Sequence, residues 1–262
     1  MNNAREPGQV FKLIPPREPG MRGRGVYLLP NLLTTSALLA GFYAIVESLH
    51  ANYQVAAIAV FAAMVLDGLD GRIARLTNTQ SAFGAEYDSL ADMVSFGVAP
   101  AILAYEWLLH ETGKFGFLAA FLYVSTAALR LARFNAQAAT SDRKYFKGLP
   151  SPASAAVVAG FIWCFDAHDL NASGLLVALT FLVTVACGLL MVSNIRFYSF
   201  KDLDLRGRVP FIKVLLVVAG LGAIAVNPPV VLLTGFVAYA SSGPILTLYQ
   251  LRRKRAGRAR TP

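Results

Sequence analysis

Apolar residues fall along this chain in long, nearly unbroken runs, and polar residues gather in the gaps. A membrane-crossing helix needs about 20 mostly apolar residues. Eight runs approach that length: about 29–49, 54–73, 85–109, 115–138, 152–168, 174–193, 211–227 and 230–250, the fifth and seventh being short. Their ends are punctuated by helix breakers: Gly113, Pro150 with Pro152, Gly174, Pro210 and Asn227-Pro228-Pro229. No repeat of solenoid length recurs. The pattern predicts an all-α integral membrane protein with about eight transmembrane helices in sequential hairpins. One membrane domain spans residues 26–250. It is preceded by a polar arm, 1–25, read as cytoplasmic rather than as a cleavable leader, and followed by a basic tail, 251–262.

Composition agrees. Of 262 residues, 56% are hydrophobic and 15% charged, against about 25% charged in soluble domains. That excludes a soluble globular protein, and the hydrophobic content excludes a disordered one. The net charge of +9 raises nucleic acid as a partner until the charges are placed. Every Lys and Arg except Lys114 lies in the N-terminal arm, the even-numbered links or the tail. The positive-inside rule then puts both termini and those links in the cytoplasm. The tail, LRRKRAGRAR, is a topology anchor suited to anionic lipid, and no nucleic acid is expected. Cys164 and Cys187 sit in apolar runs as packing residues. His50, His110 and His168 are too scattered for a shared metal site.

The acidic residues are the anomaly. Asp67 and Asp70 end the second run, and Asp88 and Asp92 begin the third. Carboxylates in spanning helices are costly and tend to be functional. At i,i+3 and i,i+4 each pair shares a helix face. The eight residues from Leu76 to Phe83 make a short connection, so helices 2 and 3 are expected as antiparallel neighbours with all four acids at one depth. Such a cluster needs protons, arginine partners such as Arg72 and Arg75, or divalent cations. All-oxygen ligands suit Mg²⁺, Mn²⁺ or Ca²⁺, and a metal pair can hold both sides of a phosphoryl displacement. Gly68, Gly71, Ala74 and Gly84 surround the acidic face. They serve either helix packing or room for a nucleotide.

Written out, the segment reads D-G-L-D-G-R-I-A-R, eight residues, Gly84, three residues, Asp88, three residues, Asp92. It resembles, at every defining position, the signature D-x-x-D-G-x-x-A-R-x8-G-x3-D-x3-D of the CDP-alcohol phosphatidyltransferases. The stretches YLLPNLLTTSALLAGFYAI, DMVSFGVAPA, ALRLARFN, KGLPSPASA and SNIRFYSFKDLDLRGRVPF are similar to the bacterial membrane-integral phosphatidylserine synthase branch. The resemblance implies that helical bundle, a bacterial inner-membrane location, a cytoplasmic active site and a homodimer. It implies CDP-diacylglycerol and L-serine as substrates, with two divalent ions, Mg²⁺ or Mn²⁺ and Ca²⁺ as a further option, as cofactors. By matched position, Asp67, Asp70 and Asp88 bind metal, and Asp92 is a metal-site neighbour and the general base. Gly71, Ala74, Arg75 and Gly84 cradle the nucleotide and diphosphate. Asn31 and Thr34 fall near the cytidine or its phosphate, or else cap and pack the first helix.

Serine would also need a carboxylate partner. The end of helix 4 offers Arg130 and Arg133, with Asn135 beside them and Lys147 across the loop. Anionic-lipid contact or pairing with the aspartates are the competing roles for these arginines. Arg196 and Lys201 are further cations, suited to the membrane surface. Trp107 and Trp163 are expected as interfacial anchors, and Phe83, Tyr87 and Phe96 as packing residues. The sequon Asn171-Ala-Ser173 carries no weight. Two alternatives stay open: the same chemistry on glycerol phosphate, inositol phosphate or choline, and a cation or proton transporter using the same acids.

Overall fold

Helices follow the apolar runs in the computed structural model, which describes residues 24–77, 79–137, 145–167, 173–198 and 211–258. α1 (Arg24–Leu49) and α2 (Tyr53–Leu76) form a hairpin turned at Ala51, whose φ is 59°. Buried Ala56, Ala57, Ala59 and Ala63 let α2 pack along its neighbours. α3 (Ala82–Asp92) and α4 (Ala99–Trp107) together occupy the third predicted run. α5 (Lys114–Gln137), α6 (Ser151–Asp166), α7 (Gly174–Val192), α8 (Phe211–Val226) and α9 (Pro228–Arg258) complete the set. The predicted tail is helical to Arg258, continuous with α9, while positions 1–23 of the arm, Lys201, His168 and Asn171 lie outside the described residues.

Five helical stretches are long and apolar enough to cross a membrane: Leu29–Leu49, Tyr53–Leu76, Lys114–Ala136, Gly174–Val192 and Pro228–Thr247. They mark a multi-pass membrane protein. Three of the eight expected spans fall short of that standard. α6 and α8 have 16 residues each, in line with the two short runs. The third run is not one α-helix, because Met93–Val98 between α3 and α4 is a π-helical turn. α6 explains why a short helix suffices. It is buried on almost every side, packed among α2, α4, α7 and α9, and apolar all round as a central helix should be.

The π turn has a local cause. In an α-helix the carbonyl of Phe96 would accept the N–H of residue 100, but that residue is Pro100 and has none. The Ala99 N–H instead bonds the Val94 carbonyl, five residues back. Close packing against α1 then holds the turn. Ser95 Oγ donates to the Ala37 carbonyl at 3.1 Å, and a Cβ on Gly41 would stand 2.7 Å from Ser95 Cα.

The fold holds one sheet element among the described residues that the apolar pattern did not predict. β1 (Tyr145–Lys147) pairs antiparallel with β2 (Arg196–Tyr198), Phe146 opposite Phe197. Phe197 is buried, and its ring lies 5.9 Å from that of Tyr239 on α9. Gly148, with φ 84°, leads out of β1. A side chain there would meet the backbone of Met191 and Ser193. The Leu149 N–H bonds the Leu190 carbonyl, so the chain enters α6 tied to the end of α7.

Aromatic packing corrects one expectation. Trp107 is not an interfacial anchor but a core residue, its ring edge-on to Phe161 at 6.1 Å. Trp163 is partly buried against Phe61. Cys187 is buried and Cys164 half-buried.

Candidate active site

α3 packs on α1, and an opening of about 520 Å³ between the C-terminal half of α2 and α3 brings together the acids of the two expected neighbours. Its walls include Asn31, Thr34, Asp67, Asp70, Gly71, Ala74, Arg75, Gly84, Asp88, Asp92 and Arg130. Every position of the aspartate motif therefore faces one cavity. A Cβ on Gly68 or Gly71 would meet nothing within 4 Å. These glycines leave room for a ligand and are not helix-packing contacts. Gly84 differs: its N–H is capped by Ser81 Oγ at 2.9 Å, and a Cβ there would lie 3.6 Å from Asn31 Oδ1.

The acids divide into three and one. One carboxylate oxygen each from Asp67, Asp70 and Asp88 lie within 4.8 Å of one another. Three like charges at that spacing repel strongly in a half-buried site, and a bound cation could relieve the repulsion. An all-carboxylate donor set of this size fits a hard divalent ion. Asp92 stands one turn beyond Asp88, close enough to Asp67, Asp88 and Arg130 to interact with each. It lies outside the close trio but inside the same cavity.

Thr34 supports the trio from α1. Its hydroxyl donates to Asp70 Oδ2 at 2.5 Å and lies 3.1 Å from the Pro30 carbonyl; Thr34 and Asp70 are both buried. Because α1 starts at Arg24, Asn31 and Thr34 are interior helix positions, which removes the capping role considered from sequence. Arg75 directs Nε to the Gly71 carbonyl at 2.8 Å, so its guanidinium folds back along its own helix at the cavity rim. Tyr87 bonds Thr35 at 2.9 Å, while Phe83 is exposed and stacked on Tyr87 rather than packed in the core. Phe96 is fully buried.

The four basic and polar residues expected for an acceptor do not converge. Arg130 lines the cavity, its Nη1 donating to Ser151 Oγ at 2.9 Å, with a buried Nε that has no partner. Arg133 turns to the end of α7, donating to Asn194 Oδ1 at 2.7 Å and reaching the Val192 carbonyl. Asn135 exchanges hydrogen bonds with Ser89, itself a cavity residue, at 3.0 and 3.3 Å. Lys147 sits in the β1–β2 ladder, exposed. Sequence reasoning missed Ser151, Pro150, Pro152, Ser81, Thr79, Gln80 and Phe134 in the walls. Only the Pro-Ser-Pro run hinted at them, through its place at the start of a helix.

Comparison with known proteins follows the same lines. The sequence pattern of the CDP-alcohol phosphatidyltransferase family matches residues 27–189. A protein of Helicobacter pylori (strain ATCC 700392 / 26695) named CDP-diacylglycerol–serine O-phosphatidyltransferase is 44% identical over 177 residues, 67% of this chain and 74% of that protein. A protein of the same name from Bacillus subtilis (strain 168) is 37% identical over 66% of this chain and 91% of its own length. One from Mycobacterium tuberculosis (strain ATCC 25618 / H37Rv) is 39% identical over 55% of this chain and 51% of its own.

Proposed function

We propose, since the chain belongs to the CDP-alcohol phosphatidyltransferase family, that it transfers the phosphatidyl group of CDP-diacylglycerol to the hydroxyl of L-serine, releasing CMP. The observation that carries this reading is the convergence of the motif aspartates, glycines and Arg75 on one cavity with open space beside Gly68 and Gly71. The residues at that cavity divide the work. Asp67, Asp70 and Asp88, with Asp92 adjoining, hold two divalent ions, Mg²⁺ or Mn²⁺. When bound, these ions supply charge neutralisation and Lewis-acid polarisation for a diphosphate. Gly71 and Ala74 let the nucleotide approach the α2 backbone, Arg75 and Gly84 border the diphosphate, and Asn31 and Thr34 close the α1 side.

Asp92 accepts the proton of the serine hydroxyl. The serine oxygen bonds the phosphorus that carries diacylglycerol, and the bond from that phosphorus to CMP breaks. A carboxylate is a modest base, so orientation contributes much of the acceleration. Arg130, held by Ser151 with Nε unspent, offers the serine carboxylate a guanidinium beside Asp92. Asn135 borders that position through Ser89, while Arg133 and Lys147 act from the rim as electrostatic attraction. Residues 26–250 form the catalytic membrane domain. The arm (1–25) and tail (251–262) lie on the cytoplasmic face of a bacterial inner membrane with the active site, touching membrane lipids, and the protein works as a homodimer.

The test is CMP release by purified protein given CDP-diacylglycerol, Mn²⁺ and one alcohol at a time. Release with serine alone supports the reading. Release with glycerol phosphate, inositol phosphate or choline instead would move the acceptor, and no release with any alcohol would favour transport.

A further inference from the structure

The π turn after Asp92 accepts a side-chain hydrogen bond from the helix that carries Arg130. Pro100 cannot donate to the Phe96 carbonyl. That oxygen accepts the hydroxyl of Tyr123, on α5, at 3.3 Å. Tyr123 is fully buried and is the largest completely enclosed side chain among the described residues. Tyr123 and Arg130 are seven residues apart, two turns along the same face of α5. One reaches the turn that follows Asp92, and the other reaches the cavity beside Asp92. A turn closed five residues back holds one residue more than an α-turn, so it rotates Asp88 and Asp92 by about 100° relative to α4.

We propose that Tyr123 is a positioning residue for the reaction. Its hydroxyl, with Pro100, keeps the π turn open and so sets Asp92 against Arg130. This rests on the reading of Asp92 as the base. The role acts on turnover and not on capture of the nucleotide lipid, whose cradle lies on α1, α2 and the start of α3.

The experiment pairs Tyr123→Phe, which removes the hydroxyl and keeps the ring, with Pro100→Ala, which supplies the missing N–H to Phe96. The expected result for Tyr123→Phe is a fall in kcat on the order of tenfold or more, with the dissociation constant for CDP-diacylglycerol and the thermal midpoint in detergent nearly unchanged. Pro100→Ala is expected to be slow as well, because its new N–H closes the wide turn. The double variant separates positioning from simple satisfaction of a carbonyl. If satisfaction were all that mattered, Pro100→Ala would rescue Tyr123→Phe, whereas positioning requires the double variant to stay as slow as Pro100→Ala. Wild-type kcat in Tyr123→Phe, rescue in the double variant, or a loss of kcat that merely tracks a loss of folded protein would each overturn the proposal. Asp92→Asn measured alongside keeps the two claims apart. Turnover in Asp92→Asn removes the base assignment, while a dead Asp92→Asn with a fast Tyr123→Phe removes only the positioning role.

Discussion

At the scale of single residues, the site depends on which acids meet and what lies opposite them. Asp92 lies outside the close trio, in the field of Arg130, and is the residue proposed as the proton acceptor. Asp92→Asn is therefore expected to keep CDP-diacylglycerol binding and lose roughly 10²–10⁴-fold in turnover, measured by equilibrium binding beside CMP release. Thr34→Val keeps the shape of the side chain but removes the donor to Asp70. The half-saturating Mn²⁺ concentration should rise about tenfold, since partners that orient a metal's ligands are worth that much. Gly71→Leu fills space that is open, so it should weaken nucleotide-lipid binding while leaving the thermal midpoint unchanged. Arg130→Lys should raise KM for serine, and an unchanged KM would remove the guanidinium from the acceptor site. The aspartates, the glycines and Arg75 were legible because their spacing is fixed within 26 residues of one helix–link–helix segment. Arg130 and Arg133 were not separable by sequence. Three positions apart near a helix end, one turns to the cavity and the other to Asn194. Ser151 stands in the cavity wall at the start of α6, just after the ladder.

At the scale of elements, the long apolar runs became helices because a helix satisfies its backbone hydrogen bonds within the segment, as an apolar surrounding requires. What the runs concealed were interruptions made by tertiary contacts. Pro100 was visible, but the contacts made at the turn before it, Ser95 with α1 and Tyr123 with Phe96, were not. The β1–β2 ladder joins two three-residue segments from distant links, too short for an alternating pattern to register. Its function is to tether the chain leading into α6. Gly148 is the vulnerable point, with φ 84° and the Met191 backbone where a side chain would go. Gly148→Ala should cost on the order of 2 kcal/mol or more, combining left-handed strain with collision. A thermal midpoint equal to that of the unchanged protein would show that the ladder is not a structural tether.

At the scale of the whole molecule, the distribution of charge carries the orientation. In the proposed orientation Lys114 is the one basic residue placed outside, and the acid cluster lies on the side of the others. With Cys164 and Cys187 replaced by alanine, Lys114→Cys should react with a membrane-impermeant thiol reagent applied outside intact cells, and Lys147→Cys should not. The reverse labelling pattern would invert the topology. The small central helix α6 and the broken third run show how the bundle departs from eight uniform spans. The active-site opening lies between α2 and α3, with α3 packed on α1. The central claim is that this acid-lined opening joins serine to a phosphatidyl group. Incorporation of labelled L-serine into extractable lipid, with CDP-diacylglycerol and Mn²⁺, tests it most directly. Lipid-bound label equal to the CMP released, and absent in Asp92→Asn, is the result expected. CMP release without labelled lipid, or labelled lipid formed equally well by Asp92→Asn, would contradict it.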